Sequence, residues 1–396
     1  MAVVKKVVLN VLGTDGNDVL KNTGAIEIID GGAGIDKVVF AEGTRGISVN
    51  LKTGQVIDSF GNRETIKNVE IVEGTAFNDV ITGSDGTDYL IGGGGNDVLN
   101  GGKGNDELYG GTGDDRLNGG DGNDLIVGGQ GKDIINGGNG FDTVNYSDEG
   151  GAKGVSVNLA TGKASDSYGD ADTLSSIERV VGTDLADELV GNSSVNVLEG
   201  GGGDDLIDGG AGNDLLLGGF GTDKILGGSG NDVLVGGHGN DKLDGGSGTD
   251  TVDYSLDGGW RGISLDLTRA SADDTWGSSD TLVSIENVIG SQFDDYIFGN
   301  KGNNVFTGGL GNDILTGGGG NDTFVFGAGH GNDKIVDFNA GDKLDLSALG
   351  FRSVEGVLAV SAGHDLGAVI TTGEGSSIVL VDVNINSLAS LGYIFA

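Results

Sequence analysis

Apolar residues along most of the chain recur with a period of nine, each within a stretch of glycine and polar residues. From Gly74 to Asn145, the eighth position of all eight nine-residue rows is Ile, Leu or Val, and eight further rows occupy 182–253. In the spacers, Val155, Val157 and Leu159 alternate with polar residues, as in a strand with one buried face. We therefore predict three-residue strands separated by six-residue turns, in which glycine provides the positive φ angles.

A strand of this length cannot bury its single apolar side chain alone, so successive rows must stack on one another. The chain contains 83 glycines among 396 residues, a content that is otherwise typical of disordered, low-complexity sequence. The fixed apolar position in every row argues against disorder. The pattern therefore predicts an all-β solenoid.

Four blocks of rows alternate with three spacers that lack the pattern. We divide the chain into an N-terminal cap with a short row block (1–39), a spacer (40–73), a block of eight rows (74–145), a spacer (146–181), a second block of eight rows (182–253), a spacer (254–289), a short block (290–338) and a C-terminal cap (339–396). The second and third spacers have 36 residues, four rows each, and related Gly-x-Ser-x-x-Leu segments begin 108 residues apart. We expect each spacer to continue the stack as two further coil turns.

The sixth position of almost every row is aspartate. These residues are Asp18, Asp36, Asp79, Asp88, Asp97, Asp106, Asp115, Asp124, Asp133, Asp142, Asp187, Asp205, Asp214, Asp223, Asp232, Asp241, Asp250, Asp295, Asp313 and Asp322. Carboxylates stacked this closely would repel one another without a counter-ion, and carboxylate and carbonyl oxygens are the ligands that Ca²⁺ prefers. We therefore predict that these aspartates hold multiple calcium ions. Asn196 and Asn304 replace the carboxylate and should weaken their sites.

The net charge of −38 disfavours binding to nucleic acid, which needs clustered basic residues. Cysteine is absent, so the chain has neither disulfides nor thiolate metal sites. No apolar run reaches the length of a transmembrane segment. The apolar stretch near the N-terminus is also too short for a signal peptide.

The row G-G-x-G-x-D-x-U-x, where U is aliphatic, resembles the nonapeptide of RTX (repeats-in-toxin) hemolysin-type calcium-binding proteins. The resemblance implies a parallel β-roll with two rows per 18-residue turn and calcium between successive turns. It also implies a secreted protein exported unfolded by a type I secretion apparatus, which reads a C-terminal signal. Residues 329–351 resemble the ends of RTX proteases and alginate-epimerase R-modules, and the uncharged tail 391–396 resembles their secretion signals.

Signals of catalysis are weak. The three histidines are His238, at a variable row position, His330, in a Gly-rich turn, and His364, beside Asp365. The nucleophile-elbow, zinc-protease and phosphate-loop motifs are absent. We therefore predict a structural, cell-surface or matrix protein and no enzyme. The alternatives are a carbohydrate-binding (polyuronate-binding) module and, less favoured, a polysaccharide-modifying enzyme.

The spacers contain recurring residues outside the row pattern. Phe60, Tyr168 and Trp276 each follow an aspartate by two residues and could stack on sugar rings or cover the core. Glu70, Glu178 and Glu286 also recur, and we expect them to be solvated or to pair with turns.

Overall fold

The computed structural model describes residues 8–40, 43–373 and 375–396. The chain divides into two compact units, Met1–Val190 and Gly191–Ala396. The N-terminal cap predicted for residues 1–7 lies outside the described residues. None of the helices in the described ranges is long and apolar enough to cross a membrane.

The first unit consists of short strands from two row blocks, two spacers and the first row of a third block. The strands of the first row block are β1 (Val8–Leu12), β2 (Val19–Lys21), β3 (Ile26–Asp30) and β4 (Lys37–Val39). The first spacer contains β5 (Ser48–Asn50), β6 (Gln55–Ile57), β7 (Arg63–Lys67) and β8 (Ile71–Glu73). The eight-row block contains β9 (Val80–Thr82), β10 (Tyr89–Gly94), β11 (Val98–Lys103), β12 (Glu107–Thr112), β13 (Arg116–Asp121), β14 (Leu125–Gln130), β15 (Ile134–Asn139) and β16 (Thr143–Asn145). The second spacer contains β17 (Ser156–Asn158), β18 (Lys163–Ser165), β19 (Ala171–Ser175) and β20 (Arg179–Val181), and β21 (Glu188–Val190) follows it.

Alternate rows of the 74–145 block form two parallel sheets. In one sheet β9, β11, β13 and β15 are neighbours, and in the other β10, β12, β14 and β16. Each residue pairs with the residue 18 positions later, as Leu99 does with Leu117 and Leu108 with Ile126. This register confirms the predicted parallel β-roll with two rows per turn.

The core is the stripe of aliphatic residues at the eighth row position. In the 74–145 block these side chains are at most 1% exposed, and they alternate between the two sheets. Each side chain stacks on the residue one turn away in its own sheet and faces the other sheet. The rows therefore bury apolar surface only through their neighbours, as expected for a solenoid.

The spacers differ from the expected two extra turns. In the second spacer, β19 pairs with β15 in parallel, β18 runs antiparallel to both β19 and β17, and β17 pairs in parallel with β21. The other sheet gains only β20, which pairs directly with β16. The first spacer repeats this arrangement with β5, β6, β7 and β8. Each spacer therefore inserts a three-strand meander into one sheet.

A side-chain-capped turn explains the reversal. The Asn158 carboxamide oxygen accepts a hydrogen bond from the Thr161 backbone N–H at 2.7–2.8 Å, as Asn50 does from Thr53. The glycine that follows, Gly162, has a φ of 64°, which favours glycine. This turn directs the chain back along the same sheet instead of across to the other one.

The second unit repeats the plan of the first. Its row strands are β22 (Val197–Gly202), β23 (Leu206–Asp208), β24 (Leu215–Phe220), β25 (Lys224–Ser229), β26 (Val233–His238), β27 (Lys242–Ser247) and β28 (Thr251–Asp253). The third spacer has β29 (Ser264–Asp266), β30 (Ser271–Asp273), β31 (Ser279–Val283) and β32 (Asn287–Ile289), and the short block has β33 (Tyr296–Phe298), β34 (Val305–Thr307), β35 (Ile314–Thr316), β36 (Thr323–Val325), β37 (Asn332–Ile335) and β38 (Lys343–Asp345). Within this unit β31 pairs in parallel with β27, β30 is antiparallel to β29 and β31, and β29 is parallel to β33.

The C-terminal cap contains the helices of the described chain, which are short. After the 3₁₀ turn Ser347–Leu349 come α1 (Val354–Ala359), β39 (Ser361–His364), β40 (Gly367–Gly373), β41 (Ser376–Val381), the 3₁₀ turn Ile385–Ser390 and β42 (Gly392–Ile394). β41 pairs in parallel with β37 and antiparallel with β40, and β42 pairs in parallel with β38. The cap therefore ends the roll with a meander like those of the spacers.

Candidate metal centre

The aspartates at the sixth row position are placed on the turns immediately before the row strands. All of those predicted as ligands are at most 4% exposed, except Asp18, which is half-buried. Burying an ionised carboxylate costs several kcal/mol unless it is paired. So many buried carboxylates therefore require compensating partners.

In most rows, one carboxylate oxygen is used in a ladder of hydrogen bonds between turns. The Asp97 Oδ1 atom accepts a bond from the Asp79 backbone N–H at 2.7 Å, and Asp115 Oδ1 accepts one from Asp97 at 2.7 Å. The same bond, 18 residues apart, continues through the block to Asp142 and recurs through the second block. The ladder fixes the orientation of each carboxylate.

The other oxygen has no partner in many rows. In the described part of the chain, Oδ2 is buried and accepts no hydrogen bond in Asp36, Asp97, Asp106, Asp115, Asp124, Asp133, Asp142, Asp214, Asp223, Asp232, Asp241, Asp250 and Asp313. Buried polar atoms are otherwise almost always bonded. A cation is the partner that such an acceptor-only oxygen lacks.

Backbone carbonyls converge on the same place. A Cβ added to Gly209, the first residue of its row, would lie 2.6 Å from Asp214 Oδ2 and 2.7 Å from the carbonyl oxygen of Gly227, one turn later. Only glycine at this position leaves that space open. Among residues 8–40, 43–373 and 375–396, no three His, Asp or Glu side chains form a metal-binding group. Any ion here would therefore be held by single carboxylates with backbone carbonyls, and such all-oxygen sets suit Ca²⁺.

Two asparagines show what these positions require. Asn22 is the one row-initial residue that is not glycine, and its amide nitrogen donates to both Glu27 and Glu64 at 2.8 Å. Asn304 replaces a row aspartate, and its amide nitrogen donates to the Glu286 carbonyl oxygen at 2.7 Å. A donor group thus takes the position between oxygens that elsewhere is open. The residues fit a bound cation.

Carboxylates from the spacers continue the ladder where a block ends. Asp133 N–H donates to Asp172 Oδ1 at 2.9 Å, and Asp142 N–H donates to Glu178 Oε2 at 2.9 Å. Asp280, Glu286 and Glu70 do the same for Asp241, Asp250 and Asp36, and Asp333 and Asp342 do so in the short block. The sequence analysis assigned no ladder role to these residues, because their offsets of 34, 36, 39 or 20 residues differ from the 18-residue offset between successive turns. The recurrence of Glu70, Glu178 and Glu286 in the three spacers was a sequence signal that could have revealed this role.

The remaining candidates lie elsewhere. His238 and His364 are exposed, whereas His330 is buried between Asp333 Oδ2 at 2.6 Å and Thr372 Oγ1 at 2.7 Å. Tyr168 and Trp276 are tethered through their polar atoms to the carbonyl oxygens of Glu149 and Asp257. Phe60 is 47% exposed.

The model of the RTX calcium-binding nonapeptide repeat matches five segments, 73–108, 109–144, 181–216, 217–252 and 289–324. These segments are RTX repeats. RTX repeats bind calcium ions at multiple sites, which agrees with the buried oxygens described above. The matched segments coincide with the three row blocks that follow the first spacer.

The chain is similar to the extracellular lipase LipA from Serratia marcescens, with 19% identity and a TM-score of 0.22. The match covers 81% of this chain and 40% of that chain, so this chain spans less than half of the lipase. No curated protein sequence matches the chain.

Burial raises the pKa of the RTX aspartates in the calcium-free state. It raises the pKa of Asp97 to about 8, of Asp106 to about 7 and of Asp115 to about 6, from an ordinary value of 3.8. Neighbouring carboxylates add to the shift of Asp97. In the second unit, burial raises the pKa of Asp223 to about 7. Near neutral pH, many of these groups favour the protonated form unless a metal ion replaces the proton.

We predict that acid partly replaces calcium. A carboxyl group with a raised folded-state pKa stabilises the fold fully below about pH 4 and loses that contribution as the pH rises through the folded pKa, about 6 to 8. In chelator, circular dichroism should therefore show more β structure at pH 5 than at pH 7.5. In calcium, acidification from pH 7.5 to pH 5 should release ions and take up protons. A calcium-free chain that gains no structure on acidification would contradict the expectation.

We predict that replacing Asp106 and Asp124 with alanine weakens calcium binding in the 74–145 block. Each substitution removes a carboxylate and one acceptor of the ladder, and a loss of about 1.4 kcal/mol would raise the calcium midpoint roughly tenfold. Hydrogen exchange, followed as a function of calcium concentration, should show the raised midpoint in peptides from 74–145 and an unchanged midpoint in peptides from 191–253. The matched control replaces exposed Asp121 and Asp148, which removes the same charge and should leave the midpoint in place.

Proposed function

We propose that this protein is a secreted calcium-binding β-roll that folds on extracellular calcium and acts as a structural, cell-surface or matrix component. The observation that carries the proposal is the series of buried carboxylate oxygens without partners. The aspartates named in the sequence analysis, with Asp18 and Asp36 as the first, are proposed as the calcium ligands. Each ion would take oxygens from a carboxylate and from Gly-rich turns one coil apart.

Calcium would control folding by mass action, because the stacked turns that form the sites exist only in the folded chain. The net charge of −38 adds repulsion that opposes compaction without cations. Free calcium is low inside cells and commonly millimolar outside them. The chain would therefore remain unfolded before export and fold afterwards.

Export is proposed to use a type I secretion apparatus. The last six residues carry no charged side chain, and β42 within them is the final strand paired with β38. The tail would thus be accessible in the unfolded chain and sequestered in the roll. We infer that the protein itself is not an enzyme, since no G-x-S-x-G or H-E-x-x-H motif occurs in the sequence.

We predict cooperative, calcium-driven folding. In chelator at pH 7.5 the chain should lack β structure in circular dichroism and have a radius of gyration of roughly 70 Å by scattering, as expected for an unfolded chain of this length. Millimolar calcium should produce the β spectrum and a smaller radius, whereas magnesium at the same concentration, which prefers octahedral sites and retains its waters, should not. A compact β spectrum in chelator at this pH would refute the proposal.

Carbohydrate binding is a second candidate, supported by an aromatic ladder in the second unit. The rings of Phe220 and His238 lie 5.7 Å apart and those of His238 and Trp276 lie 5.0 Å apart. Phe220 is 64% exposed. Neighbouring exposed rings provide flat apolar surface with a polar rim, which suits stacking on sugar rings.

We predict that this surface, if it binds glycans, loses affinity when Phe220 and His238 are both replaced with alanine. Affinity electrophoresis in calcium with a polyuronate and with a neutral glucan should show a loss of about tenfold, equivalent to about 1.4 kcal/mol. Phe141, an exposed ring in the first unit, provides the control substitution. Equal migration of all three proteins in both glycans would exclude the candidate.

A further inference from the structure

Two spacers bury a second set of carboxylates that does not belong to the nonapeptide rows. In the 146–181 spacer, Glu149, Asp166 and Asp172 are 8%, 0% and 1% exposed. In the 254–289 spacer, the residues 108 positions later, Asp257, Asp274 and Asp280, are 8%, 0% and 2% exposed. The same arrangement thus occurs once in each unit.

Short hydrogen bonds fix one oxygen of each aspartate and leave the other buried. Asp166 Oδ1 accepts the backbone N–H groups of Tyr168, Gly169 and Asp170 at 3.0, 2.6 and 2.6 Å. Asp172 Oδ1 accepts the Asp133 N–H at 2.9 Å. The Oδ2 atoms of Asp166 and Asp172 accept no hydrogen bond within the described chain, and the buried Tyr146 hydroxyl also has no partner.

The third spacer has a similar arrangement, except that its tyrosine hydroxyl is hydrogen-bonded to an aspartate. Asp274 Oδ1 accepts the N–H groups of Trp276, Gly277 and Ser278, and its Oδ2 atom is buried without a partner. Asp280 Oδ1 accepts the Asp241 N–H at 3.0 Å, and its Oδ2 atom accepts the Tyr254 hydroxyl at 3.0 Å.

No positive side chain compensates these groups. The carboxylates of Asp133, Asp166 and Glu149 all lie close enough to Asp172 to destabilise its charge. None of the ion pairs among the described residues involves them. The nearby Lys153 and Arg261 instead donate to the backbone carbonyls of Tyr168 and Asp274. Buried carboxylates in such proximity require a bound cation or bound protons.

The structure leaves room beside these aspartates. A Cβ at Gly128 would lie 2.6 Å from Asp133 Oδ2, but no carbonyl of a following turn lies near it, unlike at Gly209. A Cβ at Gly236 would likewise lie 2.6 Å from Asp241 Oδ2, and its three nearest atoms all belong to Asp241. At these two glycines the next row is missing, and the spacer carboxylates stand in its place.

The first spacer fills the equivalent positions with side-chain amides. The Asn62 amide nitrogen donates to Asp58 Oδ2 at 2.9 Å, where Asp166 and Asp274 have no partner. Asn22, which occupies the position of Gly128, donates to Glu27 and Glu64. Phe40 stands where Tyr146 and Tyr254 stand in the other spacers. Neutral donors thus reach Asp58, Glu27 and one oxygen of Glu64, whose other oxygen is buried without a partner.

We propose that the spacers 146–181 and 254–289 each bind one divalent cation, Ca²⁺ by the chemistry of their oxygen ligands, through Asp166 and Asp172 and through Asp274 and Asp280. The spacer 40–73 binds none, because Asn22 and Asn62 replace the ion. These sites lie outside the nonapeptide rows, and they terminate each eight-row block with a metal-bound turn. The inference extends the proposed calcium-dependent fold to residues that the row pattern does not include.

The test counts ions bound to the full chain in about 1 mM calcium by native mass spectrometry and by metal analysis after equilibrium dialysis. The variant D166N/D274N keeps the Oδ1 acceptors of both turns and replaces only the unpartnered oxygens, so its fold should survive, as circular dichroism would verify. It should bind about two fewer ions than the parent chain, one for each spacer, because calcium affinity depends on ligand charge. The matched control D58N should bind the same number as the parent.

An unchanged ion count in folded D166N/D274N would overturn the inference and would indicate that these carboxylates are protonated. An equal loss in D58N would overturn it as well. If D166N/D274N does not fold in calcium, the single variants D172N and D280N are counted instead, with the same expectation of one ion lost by each. Failure of the proposed function would look different, since the parent chain would then bind few ions and would not fold on calcium.

Discussion

The fold depends on the buried aspartate carboxylates of the rows, many of which have one oxygen without a hydrogen-bond partner. In most rows of the two eight-row blocks, one aspartate oxygen accepts the backbone N–H of the residue one turn earlier, which stacks the turns, while the other oxygen faces a glycine of its own row. The apolar stripe supplies one buried side chain per row, and that burial is available only when the turns are already stacked. The hydrogen-bonded carboxylates and the aliphatic stripe therefore stabilise the same stacking of turns.

Much of this was accessible from the sequence because period and chemistry coincide. A fixed apolar position, as at Leu99, and an aspartate in almost every row, as at Asp97, indicate stacked strands. The resemblance to RTX nonapeptides implied a parallel roll with two rows per turn, and the structure confirms it. The spacers were harder to predict. Their length, a multiple of nine, suggested further turns, but the turn capped by Asn158 reverses the chain locally, and the number of residues does not reveal on which sheet a strand is added.

The ends of the ladder also escaped the periodic argument. Asp172 continues it at an offset of 39 residues, which depends on the path of the meander and so cannot be obtained from spacing, whereas Glu178, at an offset of 36, keeps the nine-residue frame. The recurrence of Glu70, Glu178 and Glu286 was visible, yet its meaning required knowing which backbone N–H groups lack an acceptor at the end of a block. A repeat pattern specifies interactions between equivalent rows, whereas the groups at its boundaries are specified by tertiary structure.

The asparagine at position 22 has a consequence for how such a chain can change over generations. Every other row begins with glycine, and there the stacked oxygens surround an open space, while the Asn22 amide bridges two carboxylates with ordinary hydrogen bonds. In this row, where Glu27 also replaces the row aspartate, a side-chain amide thus provides a neutral contact in the space that other rows leave open. Changes of this kind, one row at a time, would set the calcium concentration at which the protein becomes ordered.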